Sequence, residues 1–121
     1  MTAKGELERS VLEVLWSSPG AMTAKEVIPL LPRQDLALTT ILTVLERLRA
    51  KDLVARSEGG RPYSYQATMT RDEFIATTML EALGQAPDRD ATLTHFLGAI
   101  RTTDAEHLRT ILTRSRNSHE N

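Results

Sequence analysis

The chain has 121 residues, 40% apolar and 26% charged, which suits one small domain with an appended element and excludes a disordered segment. It has no cysteine, so a disulfide framework, thiolate metal ligation and a cysteine nucleophile are excluded. The net charge of −1 conceals an asymmetry: residues 47–61 hold Arg47, Arg49, Lys51, Arg56 and Arg61 against Asp52 and Glu58, whereas residues 68–121 hold six basic against eight acidic residues.

The opening MTAKGELERS has no apolar stretch, and no apolar run approaches the ~18 residues of a membrane span. A cytoplasmic protein without direct membrane insertion is expected. Over residues 5–16 the apolar positions Leu7, Val11, Leu12, Val14, Leu15 and Trp16 recur at helical spacing, and SSPG at 17–20 stops the helix. Trp16 is expected to pack in the core rather than stack on a base. Thr23 and Glu26 form a capping box that opens a second helix with Val27, Ile28 and Leu31 on its inner face. Pro29 should shorten or bend it, and Pro32 closes it.

In the third helix Ile41, Val44, Leu45 and Leu48 fall at i, i+3, i+4 and i+7, with Thr39, Thr40, Thr43, Glu46, Arg47 and Arg49 on the opposite side. The period then changes to alternation. Residues 53–57 and 63–67 read as two strands joined by Glu58-Gly59-Gly60-Arg61-Pro62, where the glycine pair supplies positive φ angles. Tyr63 and Tyr65 are expected to be packing residues. Thr70 and Glu73 form a second capping box, opening a helix that ends on Gly84 as a C-cap. APDRD at 86–90 reads as a loop. A further helix carries Leu93, Phe96, Leu97 and Ile100, and Asp104 should cap a last one with Leu108, Ile111 and Leu112. Residues 115–121 are polar and expected to fray.

Three helices followed at once by a glycine-turned hairpin predict a winged helix-turn-helix: a mainly α fold with a small β-hairpin wing. The domains are expected at 1–68 for the winged helix and 69–121 for a helical dimerisation segment. The third helix of such a unit fits the major groove, and an arginine at the wing tip suits the flanking backbone or minor groove. Thr39, Thr40, Thr43, Arg47 and Arg61 are therefore the candidate DNA-binding residues. Taken singly, a threonine near a helix start serves as often as a cap, and a lone wing arginine is commonly just solvated. Their combination is what points to double-stranded operator DNA.

The last third of the chain is too small to bury its own apolar residues. Leu80, Leu83, Leu93, Phe96, Leu97, Ile100, Leu108, Ile111 and Leu112 are the expected homodimer contacts, and a two-fold dimer would read an inverted repeat.

The sequence resembles the penicillinase repressor family over about residues 5–114. The resemblance rests on GELERSVLEVLW, TTILTVLERLRAKDLV and GGRPYSYQATMTRDE in that order, and is strongest to the actinobacterial-looking variant with LALTTILTVLERL. It implies a repressor of resistance or stress genes with a C-terminal helical dimerisation domain, released when a membrane sensor-protease cuts it. The staphylococcal members have Trp-Ser and a Lys-Thr pair at the helix start, where this chain has Leu36-Ala37 and Thr39-Thr40. Their cut falls at an Asn-Phe bond, and the matching dipeptide here is His95-Phe96. A copper-responsive branch uses a cysteine motif that this chain lacks.

Catalysis is not expected. His95, His107 and His119 form no metal-binding or acid–base spacing, and there is no Gly-rich phosphate loop or Gly-x-Ser-x-Gly elbow. No cofactor and no metal are expected. The competing functions are a winged-helix regulator released by a small-molecule ligand, or a protein-interaction module without operator specificity.

Overall fold

The computed structural model of the chain describes residues 3–33 and 35–120. These residues form α1 (Ala3–Ser17), β1 (Met22–Thr23), α2 (Ala24–Val27), a 3₁₀ turn (Ile28–Leu30), α3 (Leu38–Ala50), β2 (Val54–Arg56), β3 (Ser64–Ala67), α4 (Arg71–Gly84), α5 (Arg89–Ala99) and α6 (Thr102–Glu120). The chain divides into two compact units, Met1–Thr77 and Thr78–Asn121.

In the first unit α1 and α2 pack on α3, and the helices close over one face of a three-stranded antiparallel sheet of order β1-β3-β2. The core is what the spacing predicts. Val11, Leu12 and Leu15 of α1 meet Ile41, Val44, Leu45 and Leu48 of α3, with Val27, Leu31, Val54 and Tyr65 completing it. Fully burying each such side chain stabilises by roughly 1.5–3 kcal/mol. Trp16 is half-buried at the edge. Its Nε1–H donates to the Met69 carbonyl (2.9 Å), and its ring lies 5.4 Å from that of Phe74.

Both capping boxes are present. The Glu26 N–H donates to Thr23 Oγ1 (3.3 Å) and the Thr23 N–H to Glu26 Oε1 (2.9 Å). Around α4, the Glu73 N–H donates to Thr70 Oγ1 (3.1 Å) and the Thr70 N–H to Glu73 Oε1 (2.8 Å). Pro29 has the expected effect: α2 stops at Val27 and the chain continues as 3₁₀ with the proline inside it.

Several expectations are corrected. The sheet has a third strand, because Met22 and Thr23 pair with Tyr65 and Ser64. In the hairpin Gly60 alone of the glycine pair has positive φ (91°), and the Ser57 N–H closes the loop on the Ser64 carbonyl (2.8 Å). Both tyrosines pack on the core as expected, Tyr65 buried and Tyr63 half-buried, but Tyr63 lies outside the strand. Gly84 is the last residue of α4 rather than a left-handed cap. The loop before α5 is shorter than APDRD: Asp88 caps the helix by accepting from the Ala91 N–H (3.1 Å), so Arg89 and Asp90 are helical. Asp104 sits inside the first turn of α6, which begins at Thr102. The polar tail does not end the helix, which runs to Glu120; Asn121 lies outside the described residues.

The compact first unit also continues past residue 68 into α4. Arg71 Nε donates to Glu13 Oε1 (3.0 Å), and Phe74 packs on Trp16, so the start of α4 belongs with α1.

The exit from α3 is a Schellman motif. The Leu53 N–H reaches the Leu48 carbonyl (2.9 Å), the Asp52 N–H reaches the Arg49 carbonyl (2.9 Å), and Asp52 takes φ = 64°. Glycine is the residue this position favours, since a side chain in the left-handed region costs on the order of 1 kcal/mol. Asp52→Gly is expected to raise stability by about 0.5–1 kcal/mol, seen as a higher urea midpoint at unchanged slope. A lower midpoint would show that the aspartate side chain stabilises the turn.

Candidate nucleic-acid interface

The outer side of α3 is built by the same periodicity that buries its inner side. With Ile41, Val44, Leu45 and Leu48 turned inward, Thr39, Thr40 and Thr43 stand in solvent. None of these threonines caps the helix: Ala37 is the N-cap and no side chain bonds there. The first turn of α3 therefore presents backbone N–H groups unclaimed by a cap, the end of a helix that favours a phosphate. Thr43 donates its hydroxyl proton to the Thr39 carbonyl (2.9 Å), leaving its methyl and its oxygen lone pairs facing outward.

The cations are less free than the sequence suggests. Arg49 donates to Glu46 Oε1 through Nε (3.0 Å) and Nη2 (2.8 Å), and Arg56 donates to Glu46 Oε2 (3.1 Å). Lys51 pairs with Glu8 of α1 (2.9 Å), and Arg47 lies 3.9 Å from the other oxygen of the same carboxylate. Arg47 is thus half-buried and directed at α1, away from the flank of α3 that faces the wing. Of the five cations in residues 47–61, Arg61 alone makes no ion pair among the described residues. The Arg49–Glu46 pair is exposed on both sides and worth at most ~1 kcal/mol, so a phosphate can compete for Arg49.

Glu46 is the hub. Besides the two arginines it accepts from the buried Tyr65 hydroxyl (2.7 Å), joining α3 to β3. The Arg49 hydrogen bonds, with that of Tyr65 next, hold its carboxyl well below the usual range, at about 2. Burial pushes the Tyr65 phenol up to about 12, with the bond to Glu46 acting in the same direction. Both groups keep their protonation state through the physiological range, so the clamp is permanent there.

Between α3, the start of α2 and the wing lies a groove of about 660 Å³ whose lining includes Lys25, Leu38, Leu42, Glu46, Arg56, Arg61, Pro62 and Tyr63. The structure brings Arg61 to this groove. It also adds residues that sequence reasoning passed over: Lys25, Leu38 and Leu42. Leu38 and Leu42 fall outside the inward stripe, and that mismatch was the signal available. Among the described residues no three His, Cys, Asp or Glu side chains converge; the His119 side chain lies outside them. No helix of the described residues is long and apolar enough to cross a membrane.

A three-helix unit with its third helix open along one side and a hairpin beside it is a winged helix-turn-helix DNA-binding domain. The sequence pattern of the penicillinase repressor family matches residues 4–114, nearly the whole chain. The chain belongs to that family, one of transcriptional repressors rather than enzymes. It is 39% identical over 125 residues to the transcriptional regulator BlaI of Mycobacterium tuberculosis, covering 100% of this chain and 91% of that one. Solved structures with some likeness include a MarR family protein from Bacillus stearothermophilus, at 17% identity and a TM-score of 0.46 over 100% of this chain and 76% of that one. Another is BpsR of Bordetella bronchiseptica, at 21% identity and a TM-score of 0.44 over 95% and 75%.

Proposed function

We propose that the protein is a cytoplasmic homodimer that represses transcription from an inverted-repeat operator, one half-site per winged helix, at genes of β-lactam resistance or stress. The observation that carries this reading is where the apolar side chains lie. Every buried side chain among the described residues belongs to the first unit. In the second, Leu80, Leu93, Phe96, Leu97, Leu108, Ile111 and Leu112 are exposed, and Leu83 and Ile100 are half-buried. Helices that leave this much apolar surface in water want a partner, and a two-fold axis lets one surface cover its own copy.

On this reading Thr39, Thr40 and Thr43 meet base edges while Arg47 and Arg61 meet phosphates, with Arg47 exchanging its loose contact to Glu8 for a phosphate oxygen. Thr43→Ala is expected to weaken operator binding by roughly 1–2 kcal/mol and leave scrambled duplex untouched. Arg61→Ala should weaken both and reduce the salt dependence by about one unit of slope. Titrations of both duplexes at several salt concentrations check this, and unchanged affinities for both variants would refute the assignment.

For release we propose proteolysis by a membrane sensor-protease, with His95-Phe96 as the candidate bond although histidine replaces asparagine there; the alternative is relief by another signal. That bond lies inside α5, so the helix must open locally before a protease can take it as an extended strand. The cut would separate Phe96 and everything after it from the winged helix. Mass spectrometry of the chain from β-lactam-treated cells is expected to show two fragments divided there. Intact chain alongside induced target genes would exclude this trigger.

A further inference from the structure

The two leucines on the outer flank of α3 serve no core. Leu38 and Leu42 are 39% and 37% exposed, and they stand one helical turn apart on the side that faces the wing. A single exposed leucine means little. Here the pair lines a groove together with Pro62 and Tyr63. Exposed Lys25 and Arg61 line it too, and neither has an ion-pair or side-chain hydrogen-bond partner among the described residues.

We infer that Leu38 and Leu42 read thymine in the operator, packing on C5-methyl groups while Lys25 and Arg61 hold the flanking phosphates. This rests on the reading of α3 as the helix that enters the major groove. In that groove the thymine methyl is the apolar feature of the base edges; the rest are donors and acceptors that a leucine would leave unpaired. A leucine at these positions therefore selects by hydrophobic contact in favour of T and by desolvation against the other bases. The charge in its lining argues for the same occupant. A second copy of this surface would bring unpaired cations against like cations, whereas phosphates neutralise them.

The test starts with duplexes enriched by the full-length protein from a random-sequence pool. Each thymine is then replaced singly by deoxyuridine, which keeps every hydrogen-bonding group and removes only the methyl. At one or two positions per half-site the replacement is expected to lower affinity about fourfold, the value of one buried methyl-sized group. The Leu42→Ala variant, which alters no core residue, should bind the thymine duplex about that much more weakly and become indifferent to deoxyuridine at its position. Leu38→Ala should do the same at a neighbouring one. Wild-type protein indifferent to every replacement overturns the inference, and that arm needs no variant to fold. Full deoxyuridine sensitivity retained by Leu42→Ala and Leu38→Ala overturns it too. So does a loss of self-association in Leu42→Ala with operator preference intact, which would make the groove a protein contact. In each of those cases the major-groove reading of α3 survives; a pool in which no duplex is enriched would remove both together.

Discussion

Replacing Leu97 and Leu112 together by glutamate is expected to give a folded monomer that binds its operator about 10²–10⁴-fold more weakly than the parent chain. The two leucines are 59% and 63% exposed, so in the single chain they bury little, and a charge there costs the winged helix nothing. In a two-fold pair each substitution is made twice across one interface. Four carboxylates would then have to be desolvated on a surface whose other members are Leu93, Phe96, Leu108 and Ile111. Dissociation is the cheaper outcome. Each monomer then holds only a half-site, because the second winged helix is no longer delivered at high effective concentration. Sedimentation should show the loss of the dimer, and titrations at fixed salt should show wild-type-like affinity for a single half-site. A variant that stays dimeric, or that is monomeric yet binds the full operator as before, would remove the assembly from the mechanism.

Much of this molecule was legible because its helices obey one rule at a time. The inward stripe Ile41, Val44, Leu45, Leu48 is the pattern a helix packed on one side must have, and all four are buried. The capping boxes at Thr23 and Thr70 were readable for the same reason: the reciprocal bonds need only the right residues three apart. What escaped was set by pairing in space. A strand of two residues, Met22–Thr23, has no alternation to detect and exists because Tyr65 and Ser64 lie beside it. The start of α4 carries polar and charged residues that read as an ordinary helix opening. Its attachment to α1 through Arg71, Glu13, Trp16 and Phe74 depends on contacts more than 50 positions apart in the chain. The charge count erred in the same way. Residues 47–61 look strongly basic, but Glu46 lies one position outside that window and Glu8 lies on another helix, and between them they engage Arg47, Arg49, Lys51 and Arg56.

Glu46→Ala is expected to lower stability by about 2–3 kcal/mol and at the same time to strengthen binding to DNA of any sequence. The first effect comes from Tyr65, whose hydroxyl is buried and donates to Glu46 Oε2; without an acceptor it bears the full cost of an unpaired buried donor. The second comes from Arg49 and Arg56, whose charges are no longer offset by the carboxylate, although Arg56 stays stacked 4.1 Å over the Tyr63 ring. Glu46→Gln separates the two, because the amide oxygen still accepts from Tyr65 while the negative charge is gone. The pH dependence follows from the depressed carboxyl. Glu46 falls from 4.5 to about 2 in the folded chain, so the stability it contributes is present above pH 4.5 and is lost as the pH falls toward 2. The carboxylate's side chain is 37% exposed, and solvent screening limits that contribution to ~1 kcal/mol. Urea denaturation between pH 2 and 5 should therefore show the wild-type chain losing this increment and the Gln variant lacking it throughout. Binding to scrambled duplex at neutral pH should rise in both variants, with a steeper salt dependence. If Glu46→Gln binds scrambled duplex no better than wild type, the arginines are not restrained by Glu46, and the carboxylate serves only to hold Tyr65.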